Sequence, residues 1–469
     1  MPLILGTNSI KDTGFDVANS CRFDGSSSKL VKSQSAGNRD LWTYSVWIKR
    51  CAITTTTTTF FASSDGSNLY AYIGIQSHKI RFLDYNSGNQ TNLITNRLFR
   101  DPSAWYHVVL TYDSAQSTAS NRVKLYINGV QETSFSTETY PSQNLDSAVN
   151  VNSSNFIISS NQDQSSGSMW NGYMAESCFV DGQALAPTSF GEFDEDSGIW
   201  KPINVSGLTF GTNGFYLDFE DSANLGNDAN GGTDFTESGL ASTDQSTDTC
   251  TNNFCTMNPL DNYYAASTFS EGNLKFISQV SGFQYNTATF GLSQGKWYFE
   301  VKLIAAANND EVNIGIAGRT TESTTGYLGL YNDTYGMYGD NGKIYNGGSS
   351  SSYGVAYTVG DIIGVYMDLD NNKLYYAKNG TIMNSGTGKD ITVATSTTTG
   401  FYFPALGDFF GGQTGTFEVN FGNPTFSISS GNTDPNGYGN FEYDPSAGTF
   451  DGSSKDFLAI NTKNLSEYG

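Results

Sequence analysis

The chain has 469 residues, with 24 Lys plus Arg against 46 Asp plus Glu, for a net charge of −22. A surface so negative repels phosphate backbones and anionic lipid headgroups, which argues against nucleic acid and membrane as partners. Aromatics make up 14% of residues and Gly contributes 51. With abundant Thr, Ser and Asn, this is the composition of strands and turns and not of helices.

The first residues, "MPLILGTNSIKDTGF", have no basic start and only a short apolar run, so no export signal or membrane insertion is expected and synthesis in the cytoplasm follows. From Leu41 to Asn161 short alternating segments succeed one another between Gly, Asn and Asp turns: "LWTYSVWIKR", "NLYAYIGIQ", "HKIRFLDYN", "AWYHVVLTYD", "NRVKLYING" and "NFIISSN". Period-two alternation with no interleaved helical pattern predicts antiparallel β-sandwich structure. Thr54–Thr59 is a run of threonines between apolar flanks and is expected to be strand or loop in that sandwich. In "WYHVVLTYD", Val108, Leu110 and Tyr112 share the inward face. Val123, Leu125 and Ile127 do so in the return strand, and Asn128-Gly129 closes a tight turn needing positive φ at both positions.

From Gly191 to about 266 the pattern dissolves into acidic, Gly- and Asn-rich sequence with isolated aromatics. It reads as an irregular connector docked through Trp200, Phe215, Tyr216 and Phe219. Strand alternation resumes at 267 and runs to 426, and a Gly-, Ser- and Asn-rich tail fills 427–469. The five cysteines are odd in number. Cys250 and Cys255 form a C-x4-C pair without two nearby partners for zinc, leaving a local disulfide or packed thiols.

The pattern W-Y-H-V-x-L-T-Y-D … K-L-Y-x-N-G resembles the laminin-G-like, concanavalin A-like lectin domain, over 1–190 with its N-terminal segment. "GKWYFEVKL" (Gly295–Leu303), "NIGIAG" (Asn313–Gly318), "YGMYGDNGKIYNGG" (Tyr335–Gly348) and "GDIIGVYMDLDNNKLYYAKNG" (Gly360–Gly380), closed by "FYFPALG" and "FEVNFG", resemble a SPRY domain over 267–426. Both resemblances imply jelly-roll sandwiches, so the expected fold is all-β: two antiparallel sandwiches joined by the connector. The whole chain also resembles structural proteins of marine tailed bacteriophages, through Met1–Gly14, Val17–Ser20, Phe190–Pro202, Gly211–Phe219 and Asp248–Pro259. That likeness implies a virion protein, a tail fibre or receptor-binding appendage, assembled with other virion proteins as a homo-oligomer and touching host cell-surface glycans. Its alternative is a capsid decoration, head-fibre or adaptor protein working through protein–protein contacts.

Catalysis finds little support. Glycoside hydrolysis needs two carboxylates flanking the bond, and the nearest pattern, "EFDEDS" (Glu192–Ser197), sits in the acidic connector as solvated charge. His107 lies mid-strand opposite Val108, where a packed or surface histidine is expected, not a general base; His78 reads as a turn residue. The protein is expected not to be an enzyme, with a glycan depolymerase as the remote reading. For binding, Tyr331, Asn332, Asp333, Tyr335, Tyr338 and Asp340 combine aromatic faces that stack on sugars with groups that bond hydroxyls; the competing reading is that most of these tyrosines pack the sheet. A loop-rim calcium, which laminin-G-like sandwiches sometimes hold, would take Asp65 and Asp113, unless these simply cap turns. No other cofactor is expected.

Overall fold

The computed structural model describes residues 9–164, 166–262, 267–278, 282–306, 311–320, 326–409 and 414–469. They form two compact units, one running Thr13–Thr251 and the other Asn252–Gly469 with the N-terminal residues up to Asp12. Both are all-β sandwiches, as the alternation of the sequence predicts. Among the described residues the single α-helix is Thr462–Tyr468, capped by Asn461, whose side chain accepts from the Asn464 N–H at 2.9 Å.

In the first unit one eight-stranded sheet has the order Val130–Glu132, Val123–Ile127, Trp105–Asp113, Leu41–Arg50, Asn171–Asp181, Ser20–Asp24, Gln245–Ser246, with Phe215–Leu217 also on Asn171–Asp181. The facing sheet runs Phe135–Thr139, Asn89–Thr95, Lys79–Asn86, Leu69–Gln76, Thr58–Ser64, Asn155–Ile158, Lys29–Ser33, Thr236–Ser238. Alternation sends Trp42, Tyr44, Val46, Val108, Leu110 and Tyr112 from the first sheet against Phe61, Ile73, Phe82 and Phe156 from the second. Asn128 and Gly129 take φ 48° and 77°, the turn their sequence demands, and Asn379-Gly380 repeats it in the second unit at 47° and 76°.

The stretch 191–251 is not a free-standing connector. Its strands Phe215–Leu217, Thr236–Ser238 and Gln245–Ser246 complete both sheets of the first unit. Phe190, Trp200, Val205 and Phe210 cover that unit's first sheet from outside, on Trp47, Val109, Cys178 and Val180. The division between units falls at Thr251, inside the expected connector. Strands of two or three residues are too short to show a period, which is why the sequence reads as irregular there.

In the second unit a nine-stranded sheet is built around Gly415–Asn420, Lys296–Ala306, Ile362–Asp368 and Lys373–Lys378. It faces a six-stranded sheet ordered Gln284–Thr287, Phe403–Asp408, Val312–Ala317, Thr334–Tyr338, Ile344–Asn346, Ser349–Ser351. Trp297, Phe299, Val301, Ile314, Met337, Val365 and Phe417 fill the space between. The segment 427–469, expected as a tail, is structured instead. Phe441, Phe450 and Phe457 pack on Tyr298, Tyr366 and Tyr375, closing the outer face of the larger sheet. Its aromatics are spaced too far apart for a periodicity signal, yet each fills a site that only the sheet creates.

Glu300 fastens that segment. Its buried carboxylate accepts from Tyr443 N at 2.7 Å, Glu442 N at 3.1 Å, Asn420 Nδ2 at 2.9 Å and the Tyr298 hydroxyl at 3.0 Å. Burial pushes its pKa up to about 7 even though these four donors pull it down.

Candidate functional site

Three segments of the second unit converge at one end of its six-stranded sheet. Val312–Ala317 leads into Arg319, the loop 326–333 leads into Thr334–Tyr338, and Thr392–Thr398 precedes Phe403–Asp408. Between them lies a cleft of about 440 Å³ lined by Arg319, Tyr331, Asn332, Asp333, Thr392 and Thr398, among others.

Asp333 organises the cleft. Its Oδ1 accepts from Arg319 Nε at 2.7 Å, and Oδ2 accepts from Thr398 N at 3.0 Å and Thr398 Oγ1 at 2.6 Å. Burial alone would raise this carboxyl, but these bonds outweigh it and its pKa is lowered overall, so it stays ionised near neutrality. The Arg319 guanidinium lies 4.0 Å from the centre of the Tyr331 ring, a close cation–π contact. Thr334 Oγ1 accepts from Gly329 N and Tyr331 N, each at 3.1 Å, and Asn346 Nδ2 bonds Asn332 O at 2.9 Å. The result is a braced polar cleft with one aromatic wall, suited to a ligand that offers hydroxyls or amides and an apolar face.

Of the six residues singled out by sequence, Tyr331, Asn332 and Asp333 line the cleft. Tyr335 is 3% exposed and lies beside it, its hydroxyl accepting from Thr392 N at 2.9 Å. Tyr338 turns away into a cluster with Phe409 and Tyr345, with ring centres 4.7 and 5.7 Å apart. Asp340 is exposed at a turn, where Asn341 Nδ2 reaches it at 3.5 Å. Tyr335 and Tyr338 stand three positions apart on the strand Thr334–Tyr338 and so face opposite sides, whereas Tyr331, Asn332 and Asp333 belong to the loop before it and Asp340 to the turn after it. Arg319 and Thr392–Thr398 were missed. Arg319 had a signal, a rare cation directly after a strand in an acidic chain, whereas "TVATSTTT" reads only as a Thr-rich loop.

The remaining candidates sit apart. Asp65 accepts from Ser67 N at 2.8 Å and Leu69 N at 3.3 Å, and Asp113 from Ala115 N at 3.2 Å and Gln116 Nε2 at 2.6 Å, each within its own turn. They follow or end strands of different sheets of the first unit. No group of three or more His, Cys, Asp or Glu side chains arranged for a metal occurs among the described residues. Glu192 and Asp194 both approach Lys201 Nζ at 3.4 Å across the hairpin Gly191–Phe193 with Trp200–Pro202.

His107 is fully built into the packing. It stacks on Trp47, accepts from Trp200 Nε1 at 2.9 Å through Nδ1, and bonds Ser45 Oγ at 2.8 Å through Nε2. Burial drops its pKa to about 3. Cys250 and Cys255 are both free thiols. No helix among the described residues is long and apolar enough to cross a membrane.

Residues 23–187 match the model of the Concanavalin A-like lectin/glucanases superfamily, and residues 296–423 match the SPRY domain. A Ran-binding proteins 9/10 homolog of Drosophila melanogaster is 30% identical over 119 residues, which is 24% of this chain and 12% of that protein. The chain thus spans about an eighth of that relative's length. The SPRY domain of human HERC1 is 14% identical, covering 35% of this chain and 96% of that one with a TM-score of 0.29. A SAP-like pentraxin of Limulus polyphemus is 16% identical over 37% and 80%, with a TM-score of 0.29. The chain therefore carries a concanavalin A-like domain followed by a SPRY domain, each inside its own compact sandwich unit.

Proposed function

We propose that this protein is a non-enzymatic component of a tailed-phage virion, a tail-fibre or receptor-binding appendage that contacts glycans on the host surface. The observation that carries the recognition role is the cleft of the second unit, where Tyr331 offers a ring and Asn332, Asp333, Thr392 and Thr398 offer hydrogen-bonding groups within one small cavity. The virion assignment rests on the segments Met1–Gly14, Phe190–Pro202, Gly211–Phe219 and Asp248–Pro259, which resemble phage structural proteins. Two binding sandwiches in one chain suit weak contacts multiplied by copy number.

The test is adsorption of the purified protein to host cells together with a glycan array. Wild type should bind, and Tyr331→Ala should weaken binding roughly tenfold by removing one stacked ring. Silence of wild type on both assays would refute the glycan reading. Labelling the protein on particles by electron microscopy tests the virion assignment separately.

A second reading is a capsid decoration, head-fibre or adaptor protein acting on other proteins. It is favoured by Val355 and Val359, 58% and 52% exposed within a few residues of one another in the second unit, and by relatives named for binding a protein, Ran. Retention of a second virion protein, lost in a Val355→Ser, Val359→Ser variant, would support it.

A further inference from the structure

The two outer faces of the first unit differ. Phe190, Trp200, Val205 and Phe210 cover one sheet, whereas the outer face of the other carries a separate set of side chains: Ala62, Tyr72, Leu83 and Ile157, edged by Val31, Tyr70 and Tyr85. Strand register arranges them in two rows. Asn92, Leu83, Tyr72, Ala62, Ile157 and Val31 follow one another across six adjacent strands, and Tyr85, Tyr70, Ser64, Asn155 and Ser33 form the row beside them.

The first row is mainly apolar and the second mixes aromatic, hydroxyl and amide groups. The Tyr70 and Tyr85 rings lie 4.8 Å apart and within 17° of parallel, both half-buried, making a rigid aromatic ridge. A chain of sugar rings presents the matching alternation, with C–H faces on one side and hydroxyls on the other.

Charge selects among sugars. Side-chain alternation places Lys29, Lys79 and Arg81 on this face of their strands, and no strand residue facing the same way is acidic. In a chain with 46 acidic and 24 basic residues, that is a reversal of sign. None of the three forms an ion pair among the described residues. Arg81 is aimed: Nε donates to Asn92 Oδ1 at 3.0 Å and Nη1 to the Tyr72 hydroxyl at 2.7 Å, with its carbon 5.5 Å from the Tyr72 ring centre. Nη2 has no partner among the described residues. A guanidinium held by its other nitrogens presents that edge to a carboxylate at little entropic cost.

The face continues at Lys29, Val31 and Ser33 into a cleft of about 780 Å³, also lined by Asn213 and Thr236. Two carboxylates border the path. Asp234, in the cleft, is occupied by Asn224 Nδ2 and Asp228 N at 2.9 and 3.0 Å, and Asp163 lies near Tyr70 and accepts from Gln162 at 3.1 Å.

We propose that this sheet face of the first unit binds a linear acidic polysaccharide, with rings against the Tyr70–Tyr85 ridge and a uronate carboxylate on Arg81. It is independent of the cleft in the second unit. The test is affinity electrophoresis of the full chain through gels containing alginate, a polyuronate, or neutral dextran. Alginate should retard the protein and dextran should not, with retardation falling as NaCl rises from 50 to 200 mM, a range chosen to span strong and weak screening.

Arg81→Gln and Tyr85→Ala should each raise the alginate concentration for half-retardation roughly tenfold. Lys79→Gln, at a strand end near solvent, should weaken retardation while leaving the unfolding transition in place, which separates binding from folding. Tyr331→Ala reports on the cleft of the second unit, so a loss confined to that variant and a loss confined to Arg81→Gln and Tyr85→Ala tell the two readings apart. No retardation by alginate, equal retardation by dextran, or retardation lost in Tyr331→Ala but kept in Arg81→Gln, Lys79→Gln and Tyr85→Ala would overturn the proposal.

Discussion

Asp248→Asn tests how the acidic stretch 191–251 is held within the first unit. Lys49 Nζ and Asp248 Oδ2 are 2.6 Å apart with both side chains fully buried, Trp105 Nε1 donates to Asp248 Oδ1 at 3.1 Å, and Tyr173 lies 5.6 Å from the ammonium. At an effective dielectric of about 20, charges at that separation attract by about 6 kcal/mol, and much of this offsets the cost of drying both ions. The amide keeps the shape and removes the charge, so the buried Lys49 ammonium loses the carboxylate 2.6 Å away, at a cost of about 3–5 kcal/mol. For a unit of this size that lowers its melting temperature by roughly 6–20 °C.

The assay is thermal and urea unfolding of the full chain, following the transition of the first unit. Replacing both partners with apolar residues, as in Lys49→Met with Asp248→Leu, should recover part of the loss, because the Lys49 charge is removed together with its partner carboxylate. A single-variant cost below about 1 kcal/mol, or a double variant as unstable as the single, would refute the reasoning.

Glu300 and His107 contribute pH effects of opposite sign. Burial raises Glu300 from its ordinary 4.5 to about 7, so the folded second unit holds a proton that the unfolded chain has released. The Glu300 contribution to its stability should therefore fall by about 3 kcal/mol as pH rises from 4.5 through 7, beside a fall of the same sign from Asp408, which burial also raises to about 7, and Glu300→Gln should make that slope shallower in urea titrations at several pH values. His107 is pushed from its ordinary 6.5 down to about 3, so the unfolded chain binds the extra proton. The His107 contribution to the first unit should accordingly fall by about 2 kcal/mol as pH drops from 6.5 to 5, against the opposite pull of Asp84 and Glu176, which burial raises to about 7 and about 8, and the difference between wild type and His107→Gln in the same titrations isolates it. A Phe441→Ala variant should destabilise the second unit by about 3–5 kcal/mol, since Phe441 is fully buried against Tyr298, and a loss under 1 kcal/mol would mean the C-terminal segment does not close that sheet.

How far the site could be read in advance depended on the element. The loop of Tyr331, Asn332 and Asp333 is visible as a dense run of aromatic and polar residues, and all three reach the cleft. Tyr338 belongs to the same run yet packs on Phe409, 71 positions later, which no local pattern announces.

Period-two alternation and Asn-Gly turns are local properties, written in a few consecutive residues, so they determined the sandwich class, the strands from Leu41 to Ile158 and the hairpins at Asn128 and Asn379. Composition likewise determined the sign of the surface. Only the tertiary structure decided where Trp200, Phe441 and Phe450 go and that 191–251 and 427–469 belong to the sandwiches. It alone set Arg319 on Tyr331 and lined up Tyr85, Tyr70 and Arg81 on one open face. Those placements follow from long-range register and from which apolar surface each sheet leaves uncovered. Both are energies of contact between distant residues, and they exist only once the strands have paired.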